Sequence, residues 1–203
     1  MLLTVNDGWL LPTVVSRCQR LELPPLSVAG AAAALEERDI APERARLLAG
    51  LSHGCLGWAL VVEEDDSLLR QRGEELDKII GVIKGGGEER FAYAARLASR
   101  FSQNRRLVYD ELGLWLDLWR DLMLLKLGCC DIITNIDRRD ELAGLAAGYR
   151  LDRIRSFIGG IRAAAGQLRQ NANAQLALEV LVLDIPDREG GEEPASRFSI
   201  RNG

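Results

Sequence analysis

The chain has 203 residues, 47% of them apolar, with 26 basic and 30 acidic side chains and a net charge of −4. This length holds one large domain or two small ones with a packed core, and six prolines in so apolar a chain exclude a disordered protein. The acid excess is a poor footprint for gripping the nucleic-acid backbone unaided, because phosphate neutralisation supplies most of such binding, so any DNA is met through an assembly.

Leu2-Leu3-Thr4-Val5 reads as a strand, Asn6-Asp7-Gly8 as a turn, and Pro12 as the first turn of a short helix. Leu21-Glu22-Leu23 alternates like an edge strand that Pro24-Pro25 stops. One strand pair and one helix cannot cover the faces of a sheet, so residues 1–25 read as the tail of a larger domain. Ser27 then caps an alanine-dense helix over 29–37. Ala41-Pro42-Glu43 opens a second helix through Leu47, Leu48 and Leu51. Ser52-His53-Gly54 breaks it, and a third helix begins at Leu56, which makes residues 26–63 a small helical subdomain.

From Asp65 onward the pattern predicts long helices with short connections. Leu68, Leu69, Leu76, Ile79, Ile80 and Ile83 form one apolar face, ended by Gly85-Gly86-Gly87. That triple glycine is a connection rather than a phosphate loop, since no Gly-Lys-Ser/Thr follows it. Phe91, Ala94, Ala95, Leu97 and Ala98 mark the next helix. Residues 105–127 gather Asp110, Asp117, Arg120 and Asp121 into one narrow polar stripe, so this helix is expected at the centre of a bundle. Trp115 and Trp119, one turn apart, are read as core rather than as a binding platform. Leu151, Ile154, Ile158, Ile161, Ala165 and Leu168 form a further packed seam, and the run from Leu176 to Leu183 closes the core. Residues 65–186 are therefore a helical bundle, and 187–203, rich in Gly, Glu and Arg, a disordered tail.

Cys18, Cys55, Cys129 and Cys130 include no Cys-x-x-Cys spacing, and His53 is the one histidine, so no metal site is expected. Such thiols suit a reducing, cytoplasmic setting. Met1-Leu2-Leu3-Thr4-Val5 lacks the basic start of a signal peptide. The apolar run within 115–127 is interrupted by Asp117, Arg120, Asp121 and Lys126, too charged to span a membrane.

The most specific stretch is Leu10-Leu11-Pro12-Thr13-Val14-Val15-Ser16-Arg17-Cys18-Gln19. It resembles the Ser-Arg-Cys motif of the AAA+ clamp-loader ATPases, which place ring-shaped sliding clamps on DNA. Further segments are similar to the delta prime subunits of the bacterial DNA polymerase III clamp loader, in the same order. Leu2-Leu3-Thr4 resembles the sensor-1 strand, and Leu51-Ser52-His53-Gly54-Cys55-Leu56-Gly57-Trp58-Ala59-Leu60 the start of the sensor-2 helix. Ile133-Thr134-Asn135-Ile136-Asp137 and Asn171-Ala172-Asn173-Ala174-Gln175-Leu176-Ala177-Leu178-Glu179 resemble parts of the helical collar.

The resemblance implies a mainly α chain: the end of an AAA+ core over 1–25, a helical lid over 26–63, and an oligomerising collar over 65–186. It implies that Arg17 acts in trans as an arginine finger on a neighbouring subunit's ATP site, with Ser16 and Cys18 positioning the loop. Hydrolysing subunits carry Gly-Ser-x-Arg at sensor 2; here Gly54-Cys55-Leu56-Gly57 puts glycine in place of the arginine, which favours the non-hydrolysing delta prime type over gamma/tau. The implied chain is no enzyme by itself and holds no cofactor, ATP and Mg²⁺ belonging to neighbours. The implied partners are gamma/tau and delta subunits, and through them the sliding clamp and primed DNA. The alternatives are a gamma/tau fragment, an unrelated helical adaptor, and a cysteine hydrolase using Cys18 or Cys55 with His53.

Overall fold

The computed structural model describes residues 10–188. The expected strand at Leu2-Leu3-Thr4-Val5, the turn after it and residues 189–203 of the expected tail lie outside these. Ten α-helices follow in order among the described residues. They are α1 (Pro12–Val15), α2 (Val28–Glu36), α3 (Pro42–Leu51), α4 (Leu56–Glu64), α5 (Ser67–Lys84), α6 (Gly87–Gln103), α7 (Arg105–Lys126), α8 (Arg139–Ala147), α9 (Leu151–Arg169) and α10 (Ala174–Leu183). Two 3₁₀ turns, Cys130–Ile132 and Ile136–Arg138, join α7 to α8. The fold is mainly α, as the periodicity predicts.

The boundaries follow local chemistry. Pro12 and Pro42 open α1 and α3, where a missing N–H costs nothing. Ser27 Oγ accepts from Gly30 N at 3.1 Å, Asn104 Oδ1 from Arg106 N at 3.1 Å, and Asn173 Oδ1 from Leu176 N at 3.1 Å. Each satisfies a backbone donor that the first helical turn leaves open. Asp65 accepts from both Ser67 N and Ser67 Oγ at the start of α5, and the Glu89 carboxylate reaches back to Gly86 N at the start of α6.

Two expectations are corrected. Leu21-Glu22-Leu23 is not a strand: the backbone from 19 to 27 is irregular, and Leu21 and Leu23 are 83% and 81% exposed. A strand needs a neighbouring backbone to satisfy its ladder, and none lies alongside among the described residues. Asp121 does not belong to a solvent stripe on α7; it is fully buried, as is Glu111 almost entirely. Both carboxylates are held by donors from other elements, which period alone does not reveal. Phe91 and Ala95 also turn outward on α6, where Tyr93, Ala94, Leu97 and Phe101 face the core instead.

Apolar side chains gather into two clusters. The smaller joins α2, α3 and α4 through Ala31, Leu35, Ala45, Leu48, Ala49, Ala59 and Val62, with Leu68 and Leu69 from the first turn of α5 packed against it. Its alanines let three short helices approach closely. The larger runs from Leu76 to Ile185 across α5 to α10. α5 therefore serves both, its start in one cluster and its second half in the other.

Aromatic rings fill the centre of the larger cluster. Trp119 and Phe157 have centroids 4.5 Å apart, Trp119 and Tyr149 5.3 Å, and Trp115 and Phe157 5.9 Å, all tilted as ring quadrupoles prefer. Trp115 Nε1 donates to Tyr93 Oη at 2.8 Å, and Tyr93 Oη donates to Glu111 at 2.6 Å. Arg100 closes the chain on the other Glu111 oxygen at 2.7 Å. Burial, aided by the Glu111 charge, pushes the Tyr93 hydroxyl well above its ordinary pKa, so it stays a donor. The tryptophan pair is core, as read from the sequence. Trp115→Ala should cost about 3–5 kcal/mol in chemical denaturation, as large-to-small core changes do; a near-neutral result would mean that the ring's burial contributes little.

Candidate functional site

The arginine loop is built by one turn of helix. Pro12 sets the entry to α1, and Ser16 N closes it on Pro12 O at 2.9 Å. Ser16 Oγ turns back onto Thr13 O at 3.2 Å, so the serine fastens the turn locally. Arg17 N and Cys18 N bond Val14 O and Val15 O at 3.1 and 3.2 Å, continuing the turn past the helix end. These bonds fix the backbone and leave the side chains of Arg17 and Cys18 exposed. No described residue takes a hydrogen bond from the Arg17 guanidinium, so its planar fork of donors faces outward, suited to an oxyanion on another molecule.

The segment after this loop returns to the three-helix cluster. Leu26 N donates to Gly54 O at 3.1 Å, and Gly54 has φ +82°. A Cβ on Gly54 would run into the backbone of Leu26, so this position needs glycine for both its conformation and the close approach. Three residues on, Gly57 lies exposed in the first turn of α4, and a Cβ built there meets nothing within 4 Å. Packing leaves room for a side chain at Gly57; this chain places no cation there. The structure puts Arg17 and Gly57 on separate elements.

His53, at φ +49°, ends α3 and reaches across to α7, where its Nε2 lies 2.9 Å from Asp117 Oδ2. It engages a carboxylate rather than Cys18 or Cys55, and all four cysteines are free thiols. The Asp117 hydrogen bond raises the His53 pKa, against the opposing effects of burial and of the Arg72 and Arg120 charges.

Beside it lies the feature that sequence reasoning missed. The Asp121 carboxylate, fully buried on α7, accepts from Thr134 N at 2.9 Å, Asn135 N at 2.8 Å and Asn135 Nδ2 at 2.7 Å. The segment it anchors reaches α5 and α7. Arg72 of α5 donates to Asn135 Oδ1 at 2.7 Å, Arg120 to Thr134 Oγ1 at 3.3 Å, and Arg138 to Asp77 and to Gly73 O. α3 also runs against it, Gly50 lying beside the Thr134 carbonyl. Burial lowers the Arg72 pKa, and the charges of Asp117, Asp137 and Asp121 oppose that shift. The signal in the sequence was Thr134-Asn135, whose donors match a buried acid one helix away, but the pairing is non-local.

No known protein-family profile matches the chain. Over 189 residues it is 26% identical to the DNA polymerase III subunit delta' of Bacillus subtilis (strain 168). The chain is thus similar to a delta prime subunit. The likeness takes in 92% of this chain and 56% of that protein, so the chain spans little more than half the length of its relative. In this chain, Ser16, Arg17 and Cys18 share one exposed turn, and the seam at Asp121 lies between the two apolar clusters.

Two outcomes are expected from the seam. Asp121→Ala should lower stability by about 3 kcal/mol or more in chemical denaturation, since it strands three buried donors. The His53 bond is pH-dependent with a defined sign. A folded pKa raised above the unfolded one gives stability that is complete below about pH 6.5 and lost as pH rises through the folded value. The Tm difference between the parent and His53→Gln should therefore be larger at pH 5.5 than at pH 8. Because His53 is 59% exposed, the effect should be small, and an equal difference at both pH values would remove the charge from this account.

Proposed function

We propose that the delta prime-like chain is the lid-and-collar part of a clamp-loader subunit, lending Arg17 in trans to a neighbouring subunit's ATP site. The observation that carries this reading is an exposed guanidinium, on a turn fixed from behind by Pro12 and Ser16, in a chain similar to delta prime over nearly its whole length. In this reading Arg17 donates to the γ-phosphoryl oxygens of ATP and Mg²⁺ held next door, where charge develops during transfer. Ser16 and Cys18 hold the loop and do no chemistry. The helices from α5 to α10 form the collar that meets gamma/tau and delta subunits, and the assembly carries the sliding clamp onto primed DNA in the cytoplasm.

Gly57 supports the non-hydrolysing type over a gamma/tau fragment. A cation at that place would stabilise the γ-phosphate within the same chain, and none is supplied although space exists for one. The chain then hydrolyses nothing by itself. Its contribution is geometric, since a finger completes its neighbour's site only when the subunits close together.

In a loader reconstituted with the full-length subunit, Arg17→Ala should leave assembly intact and cut DNA- and clamp-stimulated ATP hydrolysis by about tenfold or more. A finger is worth roughly 10³–10⁵ at the site it completes, and a loss of about tenfold over the whole assembly follows where its sites turn over as one coupled cycle. Arg17→Lys should rescue poorly, a point charge being no substitute for the planar fork. Arg20→Ala, outside the motif, is the control. Parental hydrolysis and clamp loading by Arg17→Ala would remove the finger from this reading.

A further inference from the structure

We propose that the outer flank of α9 binds the phosphodiester backbone of duplex DNA through Arg155, Arg162 and Arg169. The three residues are exposed and spaced at seven, so each lies about 10.5 Å further along the helix and only about 20° around it. They form one line about 21 Å long. A duplex carries one phosphate charge per roughly 1.7 Å of axis, about a dozen around its whole circumference over that length, and the few on the facing side are enough for three guanidinium groups. Gly159 and Ala163 are exposed beside the line and Gly166 is half-buried, so these small residues put no bulky side chain between the arginines and a broad polymer.

The line is unneutralised in a chain whose net charge is −4. None of the three has a carboxylate partner among the described residues. The one acid on α9, Asp152, is taken by Arg150 at 3.0 Å. On the helices packed against α9, each acid is engaged on its own side. Asp110 pairs with Arg106, Glu111 with Tyr93 and Arg100, Asp117 with His53, Asp121 with the 134–135 backbone, and Glu179 with Gln175. Arg169 lies over the Tyr109 ring, its guanidinium carbon 5.6 Å from the centroid, which orients it and leaves its N–H edges open. Guanidinium groups of this kind suit phosphate oxygens, and contacts to phosphate carry no sequence preference. The overall acidity opposes the approach of DNA, so binding by the chain alone is weak and best seen at low salt.

The test uses the full 203-residue chain and a fluorescent duplex of about two helical turns, with anisotropy read from about 10 to 150 mM salt. Three phosphate contacts predict that log K falls with log salt at a slope near −2.7. The triple variant Arg155→Gln, Arg162→Gln, Arg169→Gln should bind at least about tenfold more weakly at low salt and lose most of that slope. The triple lysine variant should keep the slope. Arg162→Gln alone should reduce it by about 0.9, which decides the matter should the triple variant fail a circular-dichroism check of folding. The proposal is overturned by any of four results: no binding by the parent at 10 mM salt, an unchanged slope in the glutamine variants, equal loss in the lysine variant, or capture by phosphatidylserine vesicles in preference to duplex. Because the measurement needs no other subunit, its failure leaves the Arg17 reading untouched, and failure of the Arg17 test leaves this one standing.

Discussion

A single buried carboxylate organises the junction on which the rest of the structure depends. Asp121 is fully buried, and among the described residues its nearest guanidinium is Arg120, 3.7 Å away, so three N–H donors from Thr134 and Asn135 carry most of its stabilisation. That requirement dictates the path of the chain after α7. The segment from 133 to 138 must turn in over the helix, and in doing so it presents Asn135 to Arg72, Thr134 to Arg120 and Arg138 to Asp77. An apolar residue at 121 could fill the same volume, but it would give the segment no reason to sit in one register.

This polar seam stands between two apolar clusters of different character. The smaller is rich in alanine and made of short helices, and its sharing of α5 with the larger makes that helix the covalent link between them. The larger is dominated by interlocked rings around Trp115, Trp119 and Phe157. Hydrogen bonds from His53 to Asp117 and from Arg72 to Asn135 tie elements of the two clusters to the seam. Polar contacts of that kind can exchange with water at modest cost, whereas repacking rings cannot.

The two arginine features differ in the same terms. Arg17 projects from a turn tied down by its own backbone and by Ser16, so a single guanidinium is presented at one place. Arg155, Arg162 and Arg169 are distributed along a long helix whose opposite side is core, so they present a line of charge. The first arrangement suits one phosphoryl group and the second a polymer.

The sequence by itself determined the helical class, most helix starts and the core role of the tryptophans, because those depend on caps, prolines and apolar period, all local properties. Ser27, Pro42 and the glycines after Lys84 act on the backbone beside them, and the structure uses them as read, while Asn104 caps α7 by an equally local bond that the sequence reading did not single out. The Ser16-Arg17-Cys18 turn was equally legible, since its bonds close within five residues. Tertiary structure alone decided the fate of Asp121 and Glu111. Period placed Asp121 among solvent-facing acids, but its donors come from thirteen and fourteen residues away. Leu21 and Leu23 failed as a strand for the converse reason: alternation supplies a pattern, and only a neighbouring backbone supplies the ladder. The bond from His53 to Asp117 spans 64 residues, and no local rule could have paired them.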